Sequence, residues 1–152
     1  MKKKGILLML IVSIIFVTIA IIYYKSNSHN KIQEDQSLIT NIQSEANTSS
    51  YLDLDTVTDF KWDEVYIIPP YSVPETIIKD NNLKWTNINQ SIKYHDNINL
   101  IVFTLNKTVV SYVNLPRNIV DFSLVRSIKL NKNEAIFSID KTEDEIKLNI
   151  SK

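Results

Sequence analysis

The side chains in this sequence that could do chemistry are few and dispersed. Asp63 and Glu64 are adjacent carboxylates inside DFKWDEVYIIPPYSVPETI, the stretch from Asp59 to Ile77. A general acid and base must converge on one substrate, but neighbours on a strand point to opposite faces. The pair therefore fails as a catalytic couple, and either carboxylate would need a distant partner. His95 has Asp96 beside it, yet no serine stands in a nucleophile context, and the other histidine is His29. A Ser-His-Asp reading has little to build on, and a solvated loop histidine is the simpler one. Asp53, Asp55 and Asp59 could ligate calcium in principle, but this alternation fits an extended surface segment better than a calcium loop.

Absences narrow the chemistry further. The one glycine is Gly5 and there is no cysteine. Phosphate-cradling loops, dinucleotide fingerprints and glycine-flanked nucleophile elbows all need backbone conformations that glycine supplies. Thiol nucleophiles, disulfides, lipid-modified cysteines and cysteine zinc ligands are excluded as well, and no HExxH pattern occurs. No cofactor and no metal is expected. Without glycine, asparagine is the expected occupant of left-handed turns.

Two residues suit recognition better than catalysis. Arg117 follows Pro116, and Tyr71 follows Pro69-Pro70. The prolines restrict the neighbouring backbone, so less entropy is lost when a partner orders these side chains. Tyrosine and arginine are also common hot-spot residues. The competing reading of Arg117 is structural: its planar fork would bind a carboxylate and hold the loop from Pro116 to Ser123.

The elements that must carry these groups follow from hydrophobic patterning. Lys2, Lys3, Lys4 and Gly5 precede ILLMLIVSIIFVTIAIIYY, Ile6 to Tyr24, which has no charged residue. Nineteen residues at helical rise span about 29 Å, close to a bilayer's hydrocarbon thickness. That length suits an uncleaved anchor better than a secretory signal core. The lysine excess before it predicts a cytoplasmic N-terminus and everything after Tyr24 outside the membrane. Removing those three lysines from the 17 basic residues leaves 14 against 17 acidic ones, a net of −3 for the remainder. A mildly acidic domain lacks the footprint of a nucleic-acid binder.

Residues 25–50, rich in Ser, Asn, Gln and Glu, read as a flexible polar tether, with a frayed helix as the alternative on a weak stripe at Ile32, Ile39, Ile42 and Ala46. The folded domain is expected to cover 51–152. Trp62 to Ile68 has strand composition and must end at Pro69-Pro70. Ser72, Pro74 and Glu75 predict a short helix over Ile77 and Ile78. NLIVFTL (Asn99 to Leu105) and TVVSYVNL (Thr108 to Leu115) flank Asn106-Lys107 as a hairpin. Three further alternating runs, Ile128/Leu130, Ala135/Phe137/Ile139 and Ile146/Leu148/Ile150, complete a meander with one face packed and one wet. The fold class is α+β: an N-terminal transmembrane helix, then a mostly antiparallel sheet with one or two short helices.

DFKWDEVYIIPPYS, LIVFTLNKTVVSYVNLPR and the DFS at Asp121 to Ser123 resemble a group of uncharacterised small membrane-anchored or lipoprotein-like proteins of low-GC Gram-positive bacteria. The likeness covers roughly residues 54–140 and rests on Trp62, Asp63, Tyr66, Pro70, Tyr71, Pro116, Arg117 and Asp121. Here Ile68-Pro69 stands where that pattern often has Phe-Gly or Phe-Pro. The resemblance implies an extracytoplasmic domain and no established activity. The expected function is therefore a membrane-tethered binding module with a protein partner in the cell envelope, in an immunity-like role or otherwise. The rival is an envelope-polymer hydrolase using an isolated carboxylate.

The lysine asymmetry generates a topological prediction. Protease added to intact protoplasts is expected to remove the domain and spare the N-terminal lysines. Protection of the domain with cleavage at the N-terminus would reverse the assignment.

Overall fold

The structure, a computed structural model, describes residues 12–22 and 31–151. The chain divides into two units, Met1–Lys31 and Ile32–Lys152. In the first, residues 12–22 form a helix, α1, with exposed apolar side chains such as Phe16 and Ile22. Among the described residues no helix is long and apolar enough to cross a membrane. The rest of the expected anchor, Ile6 to Ile11 and Tyr23 to Tyr24, lies outside the described residues, as do the leading lysines.

The second unit is α+β with antiparallel sheets, as the patterning predicts, but its strands fall into two sheets. The elements are α2 (Ser37–Thr48), β1 (Tyr51–Asp53), β2 (Glu64–Ile68), α3 (Pro74–Asp80), β3 (Ile98–Leu105), β4 (Thr108–Pro116), β5 (Ile128–Asn131), β6 (Ile136–Lys141) and β7 (Ile146–Ile150). One sheet has the order β4-β3-β2-β5 and the other β1-β6-β7. A 3₁₀ turn at Lys132–Glu134 passes the chain from β5 to β6, closed by a reciprocal cap between Asn131 and Glu134.

In the four-stranded sheet β2, β3 and β4 are buried on both faces, which corrects the expectation of one wet face there; β5 keeps such a face, with Lys129 and Asn131 exposed. Val65, Ile67, Ile101, Phe103, Val113 and Leu115 enter one core cluster. Tyr66, Ile68, Leu100, Val102 and Tyr112 enter another. The unbroken apolar runs VYII and LIVF suit strands covered on both sides, whereas strict alternation would suit a half-exposed sheet. Alternation does describe β6 and β7, where Phe137 and Leu148 are buried beside exposed Asp140 and Asn149.

The tether expectation is corrected too. The compact unit begins at Ile32, and α2 lies within residues 25–50. Leu38, Ile42 and Ala46 recur every four residues, so they share one helical face, and all three are buried in the first cluster. Lys141 reaches over from β6 to donate to the Asn47 and Ser49 carbonyls at the helix C-terminus. A cation there satisfies orphan carbonyls and complements the dipole.

The Asn106-Lys107 hairpin forms as predicted, with both residues at positive φ (50° and 62°), the geometry of the twist-matched two-residue turn. Helix α3 forms too, but its cap is Val73 without a side-chain bond, and Pro74 opens it. Glu75 is engaged elsewhere: it pairs with Lys93 at 2.6 Å.

If α2 belongs to the core, truncating it costs what a core truncation costs. Ile42→Ala is expected to lose about 2–5 kcal/mol and Phe137→Ala about 3–5 kcal/mol in denaturant unfolding. A loss below about 1 kcal/mol for Ile42→Ala would restore the tether.

Candidate functional site

Three polar clusters and one exposed corner contain the residues singled out by the sequence. In the first, Asp63 and Glu64 both grip the hairpin turn. Asp63 accepts the Asn106 amide at 2.8 Å. Glu64 accepts Lys107 Nζ at 2.7 Å and Lys129 Nζ at 2.6 Å, and the Tyr66 hydroxyl donates to it at 3.0 Å. Burial pushes the Glu64 carboxyl upward, but the donors from Lys107, Lys129 and Tyr66 outweigh it and hold the group at about 2. Burial and the neighbouring Glu64 carboxylate together raise the Tyr66 phenol. A carboxylate so far below neutrality is a poor proton shuttle at neutral pH. Glu64 is a structural ion-pair centre.

The second cluster is built on Asp121, the one charged residue that is buried among the described residues. Arg117 Nε and Nη2 donate to its two oxygens at 2.9 and 2.8 Å, the bidentate arrangement. Asn99 Nδ2 and the Ser123 amide add further donors at 3.1 Å each. Burial raises the Asp121 carboxyl, while Arg117, Ser123 and Asn99 bring it down to about 2. The Arg117 guanidinium is correspondingly raised, first by Asp121. Its Nη1 donates to the Asp96 carbonyl at 2.8 Å. The whole fork is thus engaged within the fold, which realises the structural reading of Arg117.

The third cluster lines an open groove of about 480 Å³ bounded by Asp53, Asp55, Trp62, Asp63, Asn131 and Lys132, among others. Lys132 pairs with Asp55 at 2.6 Å and stands 5.5 Å from the Trp62 ring centroid. Asp53 accepts the Asp55 amide at 2.9 Å. Asp59, exposed, does not join Asp53 and Asp55 in this lining. Among the described residues no group of three or more His, Asp or Glu side chains is placed to hold a metal ion. His95 is exposed, with Nδ1 2.8 Å from the Ser91 carbonyl.

The exposed corner carries Tyr71. Its backbone is left-handed (φ 60°), its side chain is 66% exposed, and its amide donates to the Ile92 carbonyl at 2.8 Å. The Glu75–Lys93 pair adds a second link between the α3 end and the 3₁₀ turn Ser91–Lys93. On these joined segments Val73 (50%) and Tyr94 (76%) are also exposed. Sequence reasoning missed Tyr94 and Val73. For Tyr94 a signal existed, because KYHDN offers no apolar neighbour to bury the ring with. Arg117 approaches the same loop through Asp96 and through its amide, which donates to the Asn97 carbonyl at 2.8 Å.

Comparison with protein-family models, with curated proteins and with solved structures finds no match.

The Asp121 and Glu64 carboxyls carry a pH prediction. Both folded pKa values lie below the usual carboxylate range of about 4, so the unfolded chain takes up protons first as pH falls. Their stabilisation is complete above about pH 5 and is lost progressively between about pH 4 and pH 2. Urea titrations across that range should show it, with a smaller acid loss in Asp121→Asn. Arg117→Ala is expected to cost about 1.5–3 kcal/mol at neutral pH, as a charged hydrogen-bond partner is removed. An unchanged midpoint would return Arg117 to recognition.

Proposed function

We propose that this protein is a single-pass, membrane-tethered binding module whose folded unit lies outside the cytoplasm and recognises a protein of the cell envelope. The observation that carries the reading is the corner holding Tyr71, Val73 and Tyr94. Large side chains are left exposed there on a backbone pinned by Pro69, Pro70 and the Tyr71–Ile92 hydrogen bond. A pre-ordered tyrosine surface reduces the entropy of association, and tyrosine supplies both apolar area and a polar tip. The uncharged run Ile6 to Tyr24, preceded by three lysines, supports the tethering part of the proposal. The resemblance to small envelope proteins favours the same compartment. Arg117 contributes by holding the Asn97 end of the loop that bears Tyr94, rather than by presenting a free fork.

A hydrolase is the second reading, because the groove brings Asp63 together with Asp53 and Asp55. Lys132, the Asp55 amide and the Asn106 amide already engage these three carboxylates. Binding is accordingly the preferred reading. Asp63→Asn abolishing a turnover of purified envelope polymer would reverse that preference.

The binding proposal is tested at Tyr71 and Tyr94. Tyr71→Asn keeps a residue type that tolerates the left-handed backbone, and Tyr94→Ala removes an exposed ring. The double variant is expected to melt within a few degrees of the parent. A photo-crosslinker placed at Val73 should join the parent to a discrete envelope protein and fail to do so in the double variant. Equal crosslinking by both proteins would remove the corner from recognition.

A further inference from the structure

The edge of β7 is hydrogen-bonded along only part of its length. Ser151 donates to the Ile136 carbonyl, so in the β6–β7 ladder the backbone groups of Ile146, Leu148 and Ile150 face away from β6. Asp121 takes the first part of that outer edge: its amide donates to the Ile146 carbonyl (2.9 Å), and its carbonyl accepts the Leu148 amide (2.8 Å). This is a parallel bridge between Asp121 and Lys147. A strand continuing in that register would bring Ser123 opposite Asn149, on the Leu148 carbonyl and the Ile150 amide. It does not continue. Ser123 turns left-handed (φ 51°), and its amide donates to the Asp121 side chain instead. Among the described residues, the Leu148 carbonyl and the Ile150 amide have no backbone partner and face outward.

Where the two backbones part there is a cavity of about 330 Å³ between 122–124 and 148–150, with Phe137 also in its lining. Phe122, Leu124, Leu148 and Ile150 supply its apolar walls, and no lining residue is charged. Ile150 is among the large apolar side chains that remain exposed.

We infer that this notch is a docking slot for an extended peptide strand carrying an uncharged aliphatic side chain. Backbone geometry selects the occupant. The vacant carbonyl and amide are spaced for one residue of an extended chain, which places its own N–H and C=O opposite Asn149 as Asp121 does opposite Lys147. The uncharged lining disfavours an acidic or basic side chain, whose desolvation nothing there would offset. A second copy pairing edge to edge is the poorer fit. Three residues of free edge fall far short of the ~1,200 Å² that a stable protein pair buries. The slot is separate from the tyrosine corner and stands whether or not that corner binds a protein.

The experiment uses the full chain in lipid nanodiscs and a fluorescein-labelled acetyl-Thr-Val-Thr-Val-Thr amide, with an N-methylated version of the same peptide. Amide exchange and fluorescence anisotropy are the readouts. Saturating peptide is expected to slow exchange of the Ile150 amide by ~10-fold or more, as pairing on an open edge does. Leu124→Asp is expected to weaken peptide binding by ~10-fold or more by introducing a charge into the slot. Because that variant could perturb folding, the N-methylated peptide is the decisive control: it cannot form the strand ladder and should not bind the parent. Equal binding of both peptides, or unchanged Ile150 exchange at saturation, would overturn the proposal. So would an Ile150 amide already protected without peptide, because the segment from Ser123 to Arg126 would then close the edge itself.

Discussion

The hydrogen bonding of the two sheets meets at one buried carboxylate. The side chain of Asp121 holds Asn99 on β3 and Arg117 just past β4, while its backbone bonds to β7 of the other sheet. A charge so placed is costly unless every oxygen is satisfied, and here a bidentate guanidinium, an amide side chain and a backbone N–H converge on it. The arrangement constrains its surroundings. It fixes the Pro116–Ser123 loop, ties that loop through Arg117 to the Asp96 carbonyl, and turns the chain away from β7 at Ser123. The Tyr94 loop, at the Asp96 carbonyl, and the β7 edge, at Ile146 and Leu148, both make contact with the two residues of this ion pair.

The absence of glycine after Gly5 imposes a second constraint. Five described residues hold positive φ: Tyr71, Asn82, Asn106, Lys107 and Ser123. Asparagine takes two of them, as expected from its local hydrogen-bonding ability. The other three need external support, and each has it. Tyr71 is held by the Ile92 carbonyl, Ser123 by the Asp121 carboxylate, and Lys107 by the Lys84 amide and the Glu64 carboxylate. Left-handed backbone at residues other than glycine persists where surrounding contacts over-determine it. In this chain two such positions border the exposed corner and the β7 notch.

The local elements were legible in the sequence, because short-range rules decide them. Pro69-Pro70 stops β2, Asn106-Lys107 turns the hairpin, and alternation marks β6 and β7. Helix α2 was not, although its stripe was visible at Ile42 and Ala46. Three buried residues in an otherwise polar segment do not raise the average composition, and only contact with the distant sheet makes the helix worth forming. The division into two sheets was hidden for the same reason: β1 pairs with β6 from far along the chain. Site residues followed this split. The Arg117–Asp121 pair is local and was anticipated as a structural alternative. The grip of Glu64 on Lys107, 43 residues away, depends on a register that no local pattern specifies.

Edge protection shows how these long-range contacts shape the surface. An open strand edge invites unwanted pairing, and folds blunt it with charge, brevity or a covering segment. The β4 edge is covered by the N-terminal segment, where Asp35 donates to the Tyr112 carbonyl and Glu34 accepts the Asn114 amide. Thr108 at its other end is bridged by Lys84. On β5 a lysine, Lys129, stands mid-strand and is paired with Glu64, and β1 is three residues long. The C-terminal part of β7 follows none of these patterns: it carries aliphatic Leu148 and Ile150, and the chain that could cover it is turned aside by a carboxylate already committed to Arg117. The ion pair that stabilises the junction of the sheets is therefore also what keeps that edge open.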